Sequence, residues 1–506
     1  MSGTVTGIGA AGDNAAAPDY VFNEIPATWR VPGAYTEVRP NYSSIGLSAY
    51  PTRVLLFGQK LATGYANVNT VYQITSAPQA YQLFGPGSML AMMAYHWFQA
   101  NTTTPVYAIA SDDATGAVKA TATLTITGAA QASGTRAVYI AGRRVAVGVA
   151  VGDTVNTIAT NTAAAINAAA GMPVVATVAA NTVTLTAQQA GLCGNDIDVR
   201  VNYLAGDATP AGLVDSVIPM TGGATNPDIT PLIAAIAADW FTDFVVGWDD
   251  AATLAILTPE LARRYTALGK LDAHAWVGTA GTPGIIAAAG VAQNCQFMTF
   301  CGMTNLPSAP WELAAEAAGV GIFQLANDPS RQLRGLSLPG IKAPAAADRY
   351  TPTQQENMLL DGVSTFDVLS DGTVVIQRII TTYQISAAGV ADAAWLDIMV
   401  PKTASRIRYD WAAYCELTYP RFKLARDGDV AAEYAPQVMT PRRMWGAWGA
   451  RCQLYSRLGW IENTQATVAA SAFEINASDR NRLDGVLQIM IIGNLIVLAS
   501  ALEFDV

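Results

Sequence analysis

Apolar and polar positions follow three different rhythms along this chain. Arg53–Gly58 becomes continuously apolar after its first residue, the pattern of a strand covered on both faces. Helical spacing covers Ala77–Phe84 and Ser88–Gln99, and a second apolar run at Val106–Ala110 completes a strand–helix–strand unit. From about Asp112 to Thr225 the rhythm shortens to alternating segments: Ala120–Thr127, Arg136–Ile140, Arg143–Val147, Val174–Val178, Thr182–Thr186 and Ile197–Tyr203. Alternation of period two predicts half-buried strands. One helical stretch, Thr154–Ala169, interrupts them, with Asp153 placed to cap it.

The α/β rhythm then resumes. Strands are predicted at Phe241–Gly247, Ala273–Gly278 and Gln296–Phe300, and helices at Ala251–Leu268 and Trp311–Leu325, an alternation that implies a parallel sheet. Asp371 and Gly372, between the segments Gly362–Leu369 and Thr373–Tyr383, are a hairpin signal. Two long helices are predicted near Ala391–Tyr419 and Pro441–Leu458, followed by strands at Gln465–Ile475, Val486–Ile492 and Leu495–Phe504. Before Ser48 only Ala34–Arg39 is strand-like, and the rest reads as an extended arm.

The boundaries that follow are an N-terminal arm (1–48), a discontinuous α/β body (49–112 and 226–390), an inserted β-rich domain (113–225) and a C-terminal α+β assembly domain (391–506). Insertion into a loop requires the ends of the insert to lie close together. Val486–Leu502 approaches the length of a membrane span, but Gln488, Asn494 and Ser500 interrupt it. Two buried strands turned at Gly493 and Asn494 fit it better. The start, Met1–Gly12, lacks the basic and apolar regions of a secretory signal, so folding in a cytoplasm is expected.

Composition sharpens this picture. Hydrophobic residues make up 51% and charged residues 13%, against about 25% charged in ordinary soluble proteins. Disorder of the bulk is excluded, because apolar surface is plentiful. A net charge of −10 argues against nucleic acid as a partner for the whole chain. That charge is unevenly spread. From Pro401 to Leu458, Lys402, Arg406, Arg408, Arg421, Lys423, Arg426, Arg442, Arg443, Arg451 and Arg457 outnumber Asp410, Glu416, Asp427, Asp429 and Glu433, giving +5 there and −15 elsewhere. At 100° per residue, Trp445, Trp448, Cys452 and Tyr455 form one helical stripe, with Arg442, Arg443 and Arg457 roughly opposite.

Catalytic signals are weak. The five cysteines, Cys193, Cys295, Cys301, Cys415 and Cys452, show no zinc or redox spacing and read as buried thiols. Gly7, Gly9 and Gly12 match a dinucleotide fingerprint in spacing only, with no strand before them. Ser88 precedes a helix and reads as its cap, while His96 and His274 fall inside a helix and a strand. Asp249 and Asp250 read as a helix cap rather than a metal pair. No catalytic, cofactor-binding or metal residue is assigned. Unpaired terminal strands would be hazardous edges, which pairing with another copy would remove.

An ordered set of short motifs resembles the tail sheath proteins of contractile-tailed, Mu-like bacteriophages. They are Arg30–Glu37, Thr52–Gln59, Gly194–Asp198, Asp361–Thr365, Ile379–Tyr383, Tyr419–Leu424, Asp427 with Gly428, Gly459–Asn463 and Asn481–Asp484. Ala425-Arg426-Asp427-Gly428 stands where the family pattern has two adjacent carboxylates. The resemblance implies a structural subunit with a subtilisin-like but non-proteolytic body, stacked as six-membered rings around a tail tube. Its contraction would drive the tube through the host envelope. It further implies strand-swapping arms, mapped here to Ala34, Tyr35, Thr36, Glu37, Val38 and Arg39 and to Leu495, Ile496, Val497, Leu498 and Phe504. It also implies a tube-facing helix, mapped to Pro441–Leu458 with Arg442, Arg443 and Arg457. The partners implied are other copies, the tube protein, and baseplate and tail terminator proteins, with no cofactor, nucleic acid or membrane insertion. Assembly in the host cytoplasm and residence in the virion tail follow. The competing readings are a cryptic subtilisin-like hydrolase and a different self-assembling shell or tube protein.

Overall fold

The computed structural model describes residues 29–36 and 46–504. Two compact units emerge. The larger comprises Ser48–Ala412, Tyr455–Glu462 and the chain from Met490 onward; the smaller holds Ala413–Leu454, Asn463–Ile489 and the described residues before Ser48.

In chain order, the larger unit begins with strands β1 (Val54–Gln59) and β2 (Val71–Ile74), helices α1 (Ala77–Phe84) and α2 (Met89–Ala100), and β3 (Val106–Ser111). Next come β4 (Thr121–Gly128), β5 (Gly134–Ile140), β6 (Arg143–Val149), α3 (Val155–Ala168), β7 (Val174–Ala179), β8 (Thr182–Ala187), β9 (Val199–Val201) and β10 (Leu213–Thr221). There follow α4 (Thr230–Ala235), β11 (Asp243–Val246), α5 (Ala251–Tyr265), β12 (His274–Thr279), α6 (Pro283–Val291), β13 (Met298–Gly302) and α7 (Pro310–Asn327). Then come β14 (Ser337–Leu338), α8 (Pro352–Leu360), β15 (Val363–Val368), β16 (Val374–Arg378) and α9 (Met399–Thr418). The remaining elements are β17 (Lys423–Leu424), α10 (Val430–Tyr434), β18 (Val438–Met439), α11 (Pro441–Arg457), α12 (Thr464–Ala469), β19 (Ala472–Ile475) and β20 (Leu483–Val486).

The main sheet has nine strands in the order β14-β16-β15-β13-β12-β11-β1-β3-β2. Its centre is parallel, with Leu55 opposite Phe244 on one side and Tyr107 on the other. All six residues of β1 and of β12 are buried, as expected where both faces are covered. The parallel pattern stops at the edges, where β2, β16 and β14 run antiparallel. Gly372, at φ +88, supplies the turn between β15 and β16. Residues 121–221 build two further sheets, β10-β4-β8-β7 and β6-β5-β9, with α3 packed on β7 and β6. β2 and β10 carry too mixed a pattern to be read in advance.

Several sequence expectations are corrected. Thr154 rather than Asp153 caps α3, accepting from the Thr157 N–H, while Asp153 turns back to accept from Ala150 N–H at 2.7 Å. The helix foreseen from Ala391 begins at Met399, because Pro401 is tolerated only in a first turn. Residues before it make the isolated bridges Ile385–Ala391 and Ile380–Asp397. Gln465–Ile475 is not one strand: Asn463, at φ +48, caps the short α12, and only Ala472–Ile475 pairs. Nor is Val486–Leu502 a buried hairpin. β20 ends at Val486, Ile491 makes a single bridge to Ile461, and Leu495–Phe504 joins no ladder among the described residues. An apolar run becomes a strand only where a partner edge faces it, and none does among the described residues. No helix among the described residues is long and apolar enough to cross a membrane.

Candidate functional site

In an open α/β sheet, ligands bind beyond the carboxyl ends of the strands, where the strand order reverses. Here that point is β1, flanked by β11 and β3, and its last residue is the fully buried Gln59. The Gln59 amide donates to Asp113 Oδ1 at 2.8 Å and to the Ala190 carbonyl at 2.7 Å. Its oxygen accepts from Trp248 Nε1 and Cys193 Sγ, both at 3.2 Å. The crevice is therefore filled by the chain's own side chains. Gln59 escaped the sequence reading, although a polar residue closing an apolar run was the available signal.

The residues considered for catalysis are each held elsewhere. Ser88 is fully buried and caps α2, accepting from Ala91 N–H at 3.1 Å. His96 faces Glu312 and Glu316, and His274 Nε2 lies 2.8 Å from Thr299 Oγ1. Burial and the nearby Lys402 hold His274 well below its ordinary pKa, so it is neutral. Asp250 caps α5, as its position implied. Four cysteines are buried and Cys415 is half-buried. Burial pushes Cys295 up to about 11 and Cys452 up to about 12, away from reactive thiolates. Among the described residues no group of three or more His, Cys, Asp or Glu could hold a metal ion. The glycines at 7, 9 and 12 lie outside the described residues.

The basic segment divides into committed and uncommitted cations. Lys402 Nζ meets Asp243 Oδ1 at 2.5 Å, and Arg408 pairs with Asp272 while lying over the Tyr265 ring. Arg406 lies over Tyr50 and Trp460. Arg451 is buried, reaching the Gly46 carbonyl and the Tyr414 ring. Arg443 is exposed, yet its guanidinium donates to the Val438 and Ala432 carbonyls at 2.6 and 2.7 Å, clamping α10 and β18 to the start of α11. Arg421, Lys423, Arg426, Arg442 and Arg457 are exposed with no side-chain partner among the described residues. On α11 the stripe packs as predicted for Trp448, Cys452 and Tyr455, whereas Trp445 stays 40% exposed and donates to the Val468 carbonyl.

The terminal segments contrast with this order. Ala34, Tyr35 and Thr36 are exposed and outside any strand, and Glu37, Val38 and Arg39 lie outside the described residues. Leu495, Val497, Leu498, Leu502 and Phe504 are 70 to 93% exposed, an apolar row in water. In the smaller unit, β19 and β20 pair only with each other, Ala472 opposite Val486 and Ile475 opposite Leu483, so each leaves an outer edge open among the described residues. Asp484 steadies that hairpin by accepting from Asn476 and Arg482. Three of the other quoted motifs sit at turning points. Gly362, Gly428 and Gly459 all have positive φ, and Ser364 Oγ bonds both the N–H and the carbonyl of Ile380.

Comparison with known proteins fits these motifs. Residues 222–382 match the phage tail sheath protein central domain. The chain is 33% identical over 407 residues to the Mu-like prophage FluMu tail sheath protein of Haemophilus influenzae, covering 80% of this chain and 83% of that one. The chain belongs to the Mu-like tail sheath proteins. This sheath chain is thus a structural component of a contractile phage tail and part of the virion. Among solved structures it is similar to a sheath tail protein of Desulfitobacterium hafniense, with a TM-score of 0.47, 13% identity and coverage of 91% of this chain and 100% of that one. It is also similar to the helical sheath of the anti-feeding prophage in its contracted state, with a TM-score of 0.48, 12% identity and coverage of 94% and 99%.

Proposed function

We propose that this sheath chain polymerises as stacked hexameric rings around a tail tube, linked by strand exchange, and contracts to drive the tube through the host envelope. The observation that carries this reading is the pairing deficit. Among the described residues, a row of exposed apolar residues from Leu495 to Phe504 has no partner strand, and the β19–β20 hairpin has two open edges. Added to that hairpin in another copy, the tail would bury its apolar side chains and satisfy its backbone groups. The N-terminal segment around Ala34–Arg39 is assigned the second edge.

The mechanism has two parts. Exchanged strands hold many backbone hydrogen bonds, so they survive while the bodies rotate and slide. The tube contact must break on firing, which suits exposed ion pairs worth about 0 to 1 kcal/mol each. Arg442 and Arg457 are its cations, and Arg443 shapes the surface beside Arg442 through its carbonyl clamp. Contraction is a downhill change between two packed arrangements and consumes no nucleotide. Within the subunit, the body of 49–112 and 226–390 is subtilisin-like without proteolysis, 113–225 is an insert, and 391–506 with the arms assembles. Subunits are built in the host cytoplasm, and the sheath ends meet the baseplate and terminator.

Electron microscopy of the purified chain tests this reading, with tubes or rings expected. Deleting Leu495–Val506 should abolish them while the larger unit stays folded by circular dichroism. Normal polymers from the truncated chain would overturn the arm assignment, and a stable monomer at high concentration would overturn the whole reading.

A further inference from the structure

Three buried charged side chains and the half-buried Arg143 meet in the larger unit. His96, on α2, has side-chain exposure of 6%, and Glu312 and Glu316, on α7, have 1% and 0%. Arg143 enters from the start of β6, in the segment between β3 and α4. His96 Nδ1 lies 2.8 Å from Glu316 Oε2, and Nε2 lies 3.4 Å from Glu312 Oε2. The remaining carboxylate oxygens are also occupied. Glu312 Oε1 accepts from Arg143 Nη2 at 2.7 Å, and Glu316 Oε1 accepts from Gly340 N–H at 2.6 Å. Glu312 Oε2 further accepts from Ala309 N–H at 3.2 Å.

We infer that His96 is a resident proton-binding site, an imidazolium that completes a charge-neutral buried network with Arg143, Glu312 and Glu316 and so fastens the β5–β6 hairpin to α2 and α7. Two features carry it. A neutral imidazole has one donor and one acceptor nitrogen, so one of its nitrogens would point a lone pair at a carboxylate oxygen. Here both nitrogens face carboxylates. Moreover, two carboxylates against Arg143 alone would leave a net buried negative charge, which is strongly unfavourable in a low-dielectric interior. One extra proton on the imidazole removes it.

The site is shaped for this arrangement. A methyl group on Gly340 would run into Glu316 Oε2 and the His96 ring, so any larger residue there would have to displace the pair. Other titratable groups around it are Tyr95, edge-on to His96 at 5.3 Å, and Tyr81 of α1, which is coupled to Arg143 and Glu312. β1, also packed on α2, carries no titratable side chain. Burial alone would lower the His96 pKa, but Glu312 and Glu316 outweigh it and raise it to about 9. Burial would raise Glu312, yet Arg143 and His96 bring it down to about 2. A folded value above the ordinary 6.5 means the stabilisation is complete below about pH 6.5 and is lost as pH rises through about 9.

The test uses the full-length protein with selectively 15N-labelled histidine, studied by magic-angle-spinning NMR. The chain has two histidines, so the spectrum is read directly, with neutral His274 as internal reference and His274→Gln to assign the signals. At pH 7, His96 should show two protonated ring nitrogens, persisting until about pH 9. A neutral-tautomer pattern at pH 7 overturns the inference. As a second arm, hydrogen exchange in Gly134–Val149 should quicken at least tenfold in His96→Gln and recover in His96→Gln with Glu316→Gln, where neutrality returns. A double variant no better protected than the single one overturns the charge-balance argument. The wild-type spectrum decides the question even if the variants fail to fold.

Discussion

Ser88 shows how a residue with a catalytic look serves the fold. Its hydroxyl takes the Ala91 N–H, and the neighbouring Met89 N–H is taken by Gln189 at 2.6 Å, so the first turn of α2 is satisfied from two sides. Ser88→Ala should lower stability by about 1 kcal/mol, read as a shifted urea midpoint with unchanged slope, while polymers still form. Lost assembly at full stability would give Ser88 another role. Capping by Ser88 and Asp250 was legible because a cap is a local bond, three residues long. The meeting of His96 with Glu316 spans 220 residues, and no local spacing announces it. The same limit hid the Gln59 hub, whose partners come from 54 to 189 residues away.

At the scale of elements, periodicity was a good guide where burial is one- or two-sided within the chain itself. The parallel strands and the β15–β16 hairpin follow their patterns, since each has a neighbour whose apolar face matches. The C-terminal tail is the informative exception. Its apolar row from Leu495 reads as a buried strand, yet it pairs with no strand among the described residues. On the proposed strand exchange, such a row encodes burial against another copy that a single chain does not display. Leu498→Asp together with Leu502→Asp should therefore block polymer formation, while the unfolding free energy of the isolated subunit, read by urea titration, changes by no more than about 0.5 kcal/mol. A large loss of monomer stability would mean the tail packs on its own subunit.

For the whole molecule, the fold disperses charge that the sequence groups together. The +5 segment first reads as one basic face, but Lys402, Arg406, Arg408, Arg443 and Arg451 are committed to carboxylates, carbonyls and aromatic rings. Among the described residues, the exposed Arg421, Lys423, Arg426, Arg442 and Arg457 are the cations of this segment left uncommitted. Arg442→Glu with Arg457→Glu should weaken cosedimentation with tail tubes at least tenfold, with self-polymerisation little altered. Raising salt from 0.1 to 1 M, which shortens screening from about 10 to 3 Å, should mimic it. Equal effects on both associations would remove the tube-facing assignment.

The root of the tail has a consequence of its own. Gln332 Nε2 donates to the Leu495 carbonyl at 2.9 Å, and Arg334 Nη1 to that of Ile496 at 3.3 Å. Both side chains grip main chain, which every amino acid carries alike. In the proposed exchange the body would thus set where the tail departs, and the residues beyond Ile496 would be free to diverge with whatever surface receives them. Launch point and destination are written in separate parts of the chain, so one can drift without spoiling the other.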